Sequence, residues 1–418
     1  MNPYISLCMI VKNESKVLRR CLESVIGIID EIIIVDTGST DSTLEIAKEF
    51  TDSIYEIQWN ENFAEARNYA ASKARGEWIL VLDADEYIYK DYLKEDIFYL
   101  QKSNNSFDIY AVNIMNFVGE NGENVIQHKH VRLYRNNKKI EFFRSVHEQL
   151  RYTDNSSEMR IGILPSLIIF HSGYLRDTVS EKNKSIRNRT LVEQELIKNN
   201  SGFDLYNLAN ELRSLGKVEE ALKIYIKAYQ KKIKLTDEWV SRCTISIVEC
   251  LIALERYTES LHVVRDAKEV YVNSPDFIYL EGLIKFYQNN YDEAKKNFHY
   301  ILLNTEQLNN VIKSPDYKDY IPNLKLGKIY EIEKDYTNAI KYYIDALNYN
   351  RHSIEALSQV ILILSKFHTE AEINDFLTKN ILSGSNKQYC KKVVAIALNL
   401  GLTELADLLI ENILEESI

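Results

Sequence analysis

The first half of the chain alternates short apolar runs with segments whose apolar residues recur every three or four positions. Runs of the first kind predict buried strands, and segments of the second kind predict helices. The predicted strands cover residues 5–11, 32–35, 54–57 and 78–82, and the helices between them begin near Ser15, Leu44 and Phe63. Because strands that alternate with single helices form βαβ units, this half is predicted to be an α/β domain with a mainly parallel sheet.

The sheet is expected to continue beyond the fourth strand. Residues 108–114 and 130–135 alternate apolar and polar side chains, and the Asn121-Gly122 pair between them is a tight-turn signal. A hairpin is therefore predicted here. Another apolar run, at residues 168–170, predicts a further strand that His171 follows directly.

The second half of the chain has a helical pattern only, and a short signature recurs in it. Each copy is a turn, then an aromatic or apolar residue, two polar residues, and an Ala or Ser that opens a helix. The copies end at Ala221, Ser260, Ala294 and Ala339, and the last interval contains residues 304–321, predicted to be a longer loop or an extended helix. A period of roughly 34 residues with helix–turn–helix patterning resembles tetratricopeptide repeats, so an all-α repeat domain is predicted.

Polar residues collect where the predicted strands end. Asn13 and Glu14 follow the first strand, Asp36 ends the second, and Asp83 and Asp85 follow the fourth. The carboxyl ends of parallel strands share one edge of a sheet, where open α/β sheets bind ligands. Clustered carboxylates need a cation, and their hard oxygens suit Mg²⁺ or Mn²⁺, so a metal carrying a phosphate-bearing ligand is predicted there. The alternatives are a solvated acidic turn for Asp83 and Asp85 and a turn-stabilising carboxylate for Asp36.

Arg67 and Asn68 lie near the start of the third predicted helix. A guanidinium at a helix N-terminus can face a phosphate, because its fork of N–H donors and the helix dipole act together. Both residues are therefore candidates for phosphate contacts. The alternative is a surface arginine on an amphipathic helix.

Composition narrows the function classes. The net charge of −10 gives no general electrostatic case for nucleic-acid binding, and the five cysteines are scattered without a C-x-x-C pair. That cysteine pattern favours a reducing compartment over a zinc site or a disulfide framework. No signal-peptide pattern and no apolar stretch long enough to span a bilayer is present, so the protein is predicted to be cytoplasmic, with any membrane association peripheral.

Four segments of the first half resemble a known enzyme family. They are SLCMIVKNE (6–14), VDTGSTD (35–41), FAEARN (63–68) and LDADE (82–86), in the order and at the spacing of a family 2 glycosyltransferase domain. The resemblance covers residues 4 to about 175 and implies the GT-A fold, a Rossmann-like sheet domain that binds nucleotide-diphospho-sugars. The segments at 146–148 and 171–174 also resemble the subgroup that includes lipopolysaccharide-core and bacteriocin glycosyltransferases.

This resemblance implies a UDP-sugar donor and a divalent metal, Mg²⁺ or Mn²⁺. It places Asp36 near the uracil or ribose, Asp85 closest to the metal, and Arg67 where it helps neutralise the diphosphate. His171 is the implied imidazole ligand of the metal, and a histidine satisfied by backbone at a strand end is the alternative. The complete predicted donor-binding set is Val11, Asn13, Glu14, Asp36, Arg67, Asp83 and Ala84.

Sugar transfer also needs a group that removes the acceptor's proton. The resemblance implies inversion at the anomeric carbon by a single displacement, which requires a base on the opposite face of the sugar. Glu148 is the predicted base and His147 the second candidate. His128 and His130 flank a predicted strand without such a pattern and are predicted to lie on the surface.

The layout of the chain, a catalytic domain and then helical repeats, resembles the enzymes that glycosylate bacteriocin precursor peptides on Cys or Ser. It implies transfer of a hexose to a peptide or protein acceptor held by the repeats, with homodimerisation as a competing use of that surface. The predicted boundaries are 1–175 for the glycosyltransferase domain, 176–203 for a basic linker helix and 204–418 for the repeats. Two alternatives remain: a lipid or polysaccharide acceptor of the cell envelope, and a repeat scaffold with an inactive catalytic domain.

Overall fold

The computed structural model describes residues 3–102, 107–118, 124–137, 139–154, 159–172, 191–382 and 387–415. By its contacts the chain divides into two compact units, Met1–Glu255 and Arg256–Ile418. The first helices of the all-α region therefore group with the sheet, and the division comes later than residue 204, the predicted start of the repeats. The predicted Asn121-Gly122 turn and most of the predicted linker 176–203 lie outside the described residues.

The first unit is built on an eight-stranded sheet over the described residues. Its strands are β1 (Ile5–Val11), β2 (Glu31–Asp36), β3 (Ile54–Glu56), β4 (Trp78–Val81), β5 (Glu86–Ile88), β6 (Ile109–Val118), β7 (Asn124–Arg135) and β10 (Ile161–His171). Their order is β3-β2-β1-β4-β7-β6-β10-β5, and only β7 and β5 run antiparallel to their neighbours. A separate ribbon pairs β8 (Ile140–Phe143) with β9 (Gln149–Tyr152). The predicted mainly parallel α/β domain is confirmed.

The helices of the first unit alternate with the early strands and then continue alone. They are α1 (Leu18–Val25), α2 (Thr43–Lys48), α3 (Phe63–Lys73), α4 (Lys90–Lys102), α5 (191–199), α6 (Gly202–Ser214), α7 (Val218–Gln230) and α8 (Glu238–Ala253). Helix α1 begins later than the predicted start near Ser15, because residues 15–17 form a turn in which Val17 and Leu18 donate to the Glu14 carbonyl.

Both faces of the central strands are covered. Leu7 of β1 packs in one core cluster with Leu18 and Leu22 of α1. Cys8, the next residue, faces the other side, where its cluster includes alanines of α3 and Phe142 of β8. Strands buried on two faces carry continuous apolar runs, which is why those runs located them correctly.

The parallel register brings the polar strand ends to one edge. Val11, the last residue of β1, pairs with Asp36 at the end of β2, and Cys8 pairs with Val81 at the end of β4. Asp83 and Asp85 of the segment after β4 therefore emerge near the residues that follow β1 and β2.

The second unit is helical over its described residues, so the predicted all-α repeat architecture is confirmed. Its α-helices are α9 (Tyr257–Val270), α10 (Pro275–Tyr287), α11 (Tyr291–Leu303), α12 (Tyr320–Ile332), α13 (Tyr336–Tyr349), α14 (Ile354–Leu364), α15 (Glu370–Leu377), α16 (Lys387–Asn399) and α17 (Thr403–Glu415). No helix among the described residues has both the length and the apolar character needed to cross a membrane.

The recurrent sequence signature marks the turn between two successive helices. Gly216, Asn289 and Lys334 have φ angles of 78°, 58° and 63°, and each lies two residues before the next helix. The residue that follows donates its N–H to a carbonyl five positions back, as Asn290 does to Lys285. This left-handed helix ending satisfies carbonyls that the finished helix leaves unpaired.

The longest interval between signatures contains a loop, not an extended helix. Residues 304–319 include no α-helix and a single 3₁₀ turn, Pro315–Lys318. The buried carboxylate of Asp276, at the start of α10, accepts the N–H groups of Ile312 at 2.9 Å and Lys313 at 2.8 Å. These bonds tie the loop to the preceding helix pair.

Close packing at Gly327 gives a prediction about the stability of the repeats. A Cβ atom added there would lie 2.7 Å from a ring atom of the buried Tyr343 on the neighbouring helix. Gly327→Ala is therefore expected to lower the free energy of unfolding by about 1–3 kcal/mol, because the packed helices must separate to admit a methyl group. Denaturant unfolding measures the change. Thr337→Ala, at an exposed position of α13, is the control, and unchanged stability of the Gly327 variant would contradict the close approach.

Candidate active site

Asp83 is held between two arginines. Its carboxylate accepts from Arg67 Nη2 at 2.9 Å and from Arg132 Nη2 at 3.0 Å. The Asp83 side chain remains 38% exposed, whereas those of Arg67 and Arg132 are 11% and 9% exposed. Partial burial raises the pKa of Asp83, but the two guanidiniums outweigh this effect and bring that pKa below its ordinary value. Asp83 is therefore an ionised carboxylate at the carboxyl edge of the sheet.

Glu86 supports the same strand end from inside the protein. Its Oε2 accepts the N–H of Asp83 at 2.8 Å, and its other carboxylate oxygen accepts from Arg132. The side chain is 2% exposed, and burial raises the pKa of Glu86 to about 7 against the opposing effect of Arg132. Arg132 thus joins a buried carboxylate to the partly exposed Asp83.

Asp85 and His171 meet although they come from different strand ends. His171 ends β10 and pairs with Glu86 of β5, which brings its Nε2 to 3.4 Å from Asp85 Oδ2. Its Nδ1 lies 2.8 Å from the amide oxygen of Asn116. Because that oxygen only accepts, Nδ1 carries the hydrogen and Nε2 faces the carboxylate. Burial lowers the pKa of His171, but the hydrogen bond with Asp85 and the nearby carboxylates outweigh it and raise this pKa.

Asn116 continues this line of contacts into the sheet. It is 4% exposed, and its amide nitrogen lies 2.9 Å from the Ile126 carbonyl and 3.0 Å from His128 Nδ1. His128, which was predicted to lie on the surface, is half-buried, with its ring beside Asn116. Burial lowers the pKa of His128 to about 2. His130 is exposed, as predicted.

Asp36 organises the loop after β2. Its carboxylate is 2% exposed and accepts the N–H groups of Gly38 at 2.9 Å and Ser39 at 2.8 Å, together with the Ser39 hydroxyl. Asn13 has a φ angle of 56°, and its side-chain oxygen accepts the N–H of Thr40 at 2.7 Å. Asp36 thus makes the contacts of the turn-stabilising alternative, and its contact with a nucleotide stays a prediction.

The remaining predicted donor residues lie around this edge. The Val11 carbonyl accepts the Thr37 N–H at 3.0 Å, and the Glu14 N–H donates to the Thr43 hydroxyl at 2.7 Å. Ala84 is 5% exposed between the two aspartates. The backbone of Val11 and Glu14 therefore shapes the loop at the nucleotide side, and direct ligand contacts of these residues stay predictions.

Arg67 links Asp83 to the predicted base. Its Nε donates to Glu148 Oε1 at 2.9 Å, and its Nη1 is buried without a hydrogen-bond partner. A buried N–H without a partner is costly, so this donor is suited to an anionic ligand. Asn68 has a different role, since its side chain forms two 2.8 Å hydrogen bonds with the Phe142 backbone and holds the β8–β9 ribbon.

His147 and Glu148 lie on a loop between β8 and β9 that contains strained residues. Arg144 and His147 have φ angles of 76° and 53°, a left-handed conformation that costs a non-glycine residue about 1–3 kcal/mol. Burial lowers the pKa of His147, and its Nε2 is buried without a partner. Glu148 is 14% exposed. The structure therefore places Glu148 directly beside Arg67, with His147 as its neighbour on the loop, and the catalytic roles of both stay predictions.

Arg132 and Asn116 belong to the site, although neither was predicted from the sequence. A signal was present, because Arg132 stands between the apolar Val131 and Leu133 within a predicted strand, where a charge needs a buried partner. Its actual partners could not be predicted, since β7 is inserted between β4 and β6 and only this pairing brings Arg132 to Asp83.

Asp85 and His171 have the chemistry of a divalent metal site. A carboxylate oxygen and an imidazole nitrogen 3.4 Å apart can bind one ion together. No group of three or more His, Cys, Asp or Glu side chains that could hold a metal is found among the described residues. This pair fits a Mg²⁺ or Mn²⁺ ion that takes its other ligands from substrate phosphate and water.

Known proteins resemble the chain in the region of this site. Residues 6–165 match the family described as glycosyl transferase family 2. The glycosyltransferase SunS of Bacillus subtilis is 31% identical over 56% of this chain and 56% of its own length. A TPR repeat-containing protein of Synechococcus elongatus is 36% identical over 45% of this chain and 47% of its own length. The chain thus spans about half the length of these curated relatives.

Solved structures give only weak overall likeness. Residues 1–349 of TarS from S. aureus match with a TM-score of 0.32 and 16% identity, covering 71% of this chain and 91% of that chain. A tetratricopeptide repeat protein from Parabacteroides merdae matches with a TM-score of 0.37 and 15% identity, covering 56% and 88%. TM-scores this low support no functional conclusion.

The matched segment coincides with the sheet and with most of the residues described above. It contains β2 to β9 and all of β1 except Ile5, together with both aspartates after β4 and the loop that carries Glu148. The N-terminal part of this chain is therefore a glycosyltransferase domain of family 2, followed by tetratricopeptide-like helical repeats.

Proposed function

We propose that this chain is an inverting, metal-dependent glycosyltransferase that moves a hexose from a UDP-sugar to a Cys or Ser side chain of a peptide, such as a bacteriocin precursor. One observation carries the donor half of the proposal: Asp83, Asp85 and His171 lie with two guanidiniums at the carboxyl edge of a mainly parallel sheet. The acceptor half is supported by the layout of the chain, a glycosyltransferase domain followed by helical repeats.

The donor side needs groups that bind and neutralise a diphosphate. Asp85 and His171 would hold Mg²⁺ or Mn²⁺, which, when bound, acts as a Lewis acid toward the charge on the leaving diphosphate. The unpartnered Nη1 of Arg67 is a donor for a phosphate oxygen. Asp83 is ionised and oriented by two arginines, so it can accept from a hydroxyl of the donor sugar or ribose.

The acceptor side needs a base on the opposite face of the sugar. Glu148 is the first candidate and His147 the second; both lie on the loop between β8 and β9, and Glu148 accepts a hydrogen bond from Arg67. A thiol acceptor with a pKa near 8.5 asks less of this base than a hydroxyl does, because a fraction of it is already ionised near neutral pH.

The helical repeats offer a surface for a peptide acceptor. In the second unit, a groove of about 710 Å³ has a mixed lining of charged, aromatic and aliphatic side chains: Asp292, Lys295, Lys296, His299, Tyr300, Leu303 and Tyr330. Tyr330 stacks on Tyr342 with ring centroids 5.4 Å apart. Tyrosine rings of this kind contact peptide backbone and side chains at little cost in conformational entropy.

Intact-mass analysis tests this proposal. A cysteine-containing precursor peptide, incubated with the full chain, UDP-glucose and Mg²⁺ or Mn²⁺, is expected to gain the mass of one hexose. Chelation of the metal with EDTA should abolish the gain, and a control peptide with alanine in place of every Cys and Ser should show none. The absence of any gain across several peptides and several UDP-sugars would count against the peptide acceptor.

A cell-envelope acceptor, lipid-linked or polysaccharide, is the second candidate. The basic cluster that would favour it, at residues 176–189, lies outside the described residues. Transfer to such an acceptor in a parallel assay, with no transfer to peptide, would support this alternative. The contacts of the site disfavour an inactive scaffold: Arg67 donates to Asp83, and Asp85 lies 3.4 Å from His171.

A further inference from the structure

We infer that Glu195 and Asp204, on helices α5 and α6, are positioning residues for the loop 144–148, which carries His147 and Glu148. The inference rests on the proposed function, in which this loop supplies the base. In this view α5 and α6 support catalysis, because they hold the loop 144–148 in place. They are therefore more than the first helices of the repeat region.

Glu195 binds the loop at its second residue. Its Oε1 accepts both the N–H of Ser145, at 3.0 Å, and the Ser145 hydroxyl, at 2.7 Å. Glu195 and Ser145 are 5% and 8% exposed, so these bonds form away from solvent. A buried carboxylate bound to a backbone N–H fixes the position of the main chain itself, two residues before His147.

Asp204 binds the loop one residue earlier. It forms a buried ion pair with Arg144, and the two side chains are 1% and 9% exposed. The Arg144 guanidinium also lies 5.3 Å from the ring centroid of Phe203, the neighbour of Asp204 on α6. Helix α6 thus encloses the charge of Arg144, which is one of the two residues of the loop with a left-handed φ angle.

Apolar packing joins the same parts. Val146 is 7% exposed and lies in one cluster with Leu191 and Val192 of α5, with Leu208 of α6 packed against it. On its other side the loop contacts the donor site, because the Ser145 carbonyl accepts the N–H of Phe63, the first residue of the helix that carries Arg67.

These contacts explain how two strained residues persist in a short loop. A left-handed conformation at Arg144 and His147 is retained only where surrounding structure determines it. Here the surrounding structure is supplied by α5 and α6, which hold the strained Arg144 and the two residues between it and His147. Without them the loop would relax, and the base would lose its alignment with the bound sugar.

Three variants test the inference in the full-length chain. Glu195→Ala removes both bonds to Ser145 and is expected to lower kcat for peptide glycosylation by about 10- to 100-fold, the usual effect of a small misplacement of a catalytic group. Glu195→Gln keeps an accepting oxygen and is expected to restore most of that loss. Asp204→Asn removes the charge that pairs with Arg144 and is expected to lower kcat in the same direction. The dissociation constant for UDP, measured with Mn²⁺, should stay within about twofold in all three, because the metal and phosphate ligands are intact.

Hydrogen–deuterium exchange gives a readout that does not depend on knowing the acceptor. The backbone amides of residues 144–148 are expected to exchange faster in Glu195→Ala and Asp204→Asn than in the wild type, whereas those of β1 and β4 should not change. Glu220→Gln, at an exposed position of α7, is the matched control. Unchanged exchange in this loop in both variants would overturn the inference, as would a wild-type kcat in Glu195→Ala. A wild-type protein that glycosylates no peptide would contradict the proposed function instead, and the exchange result would still decide the positioning role.

Discussion

Asp85→Asn is expected to reduce sugar transfer by about 10³-fold or more while the fold is retained. Asparagine has the shape of aspartate but lacks the charge that a divalent metal requires, and the Asp85 side chain, 13% exposed, lies 3.4 Å from His171. The measurement is kcat with UDP-sugar and acceptor at saturating Mn²⁺, together with the melting temperature. Loss of activity with little change in melting temperature is the expected combination.

Asp52→Asn is the matched control for this variant. Asp52 is an exposed carboxylate in a loop and is not one of the predicted site residues. It should transfer sugar at the wild-type rate. Near-normal turnover of Asp85→Asn under the same conditions would remove Asp85 from the metal site, and a large fall in its melting temperature would show that the residue acts on stability.

Arg67→Ala is expected to lower both stability and activity. Arg67 is 11% exposed and pairs with Asp83 and Glu148, both at 2.9 Å, so its removal leaves Glu148 without this cation and Asp83 with Arg132 as its remaining arginine partner. Losing one partner of a buried ion pair costs about 3–5 kcal/mol of unfolding free energy, and the lower end applies here because Asp83 remains 38% exposed. Denaturant unfolding measures this loss, and UDP affinity should fall in parallel.

Arg67→Lys separates charge from geometry. A lysine keeps the positive charge, but one ammonium group cannot reproduce the two-sided fork that binds Asp83 and Glu148 together, so an intermediate loss of UDP affinity is expected. Arg19→Ala is the control, because Arg19 pairs with Glu49 on the exposed surface and such pairs contribute little. If Arg67→Ala were as stable as Arg19→Ala, Arg67 would not be the bridge between the two carboxylates.

The location of the site was predictable from local pattern. Apolar runs identified β1, β2 and β4, and parallel strands place their carboxyl ends at one edge, so Asn13, Asp36 and Asp83 had to lie near one another. The role of His171 was implied by the family resemblance, and the structure has it at the end of the apolar strand β10. The strands could be located because a strand that is buried on both faces needs a continuous run of apolar residues.

The contacts within the site depended on pairings between distant parts of the chain. Arg132 meets Asp83 only because the antiparallel β7 lies between β4 and β6, and Asn116 meets His171 only through the β6–β10 register. The contact between His128 and Asn116 likewise crosses the β6–β7 pairing. The order of the strands in the sheet cannot be inferred from the local pattern of apolar and polar residues.

The amino-acid sequence alone determined the α/β domain, the repeats and the edge where carboxylates gather, because periodicity and turn chemistry encode these features locally. Tertiary structure alone decided how the loop 144–148 is held. Its anchors, Glu195 and Asp204, are 50 and 60 positions away from the residues they bind. The local sequence around a carboxylate on a later helix does not indicate which backbone group it will bind. That partner is determined only when the helix packs against the rest of the domain.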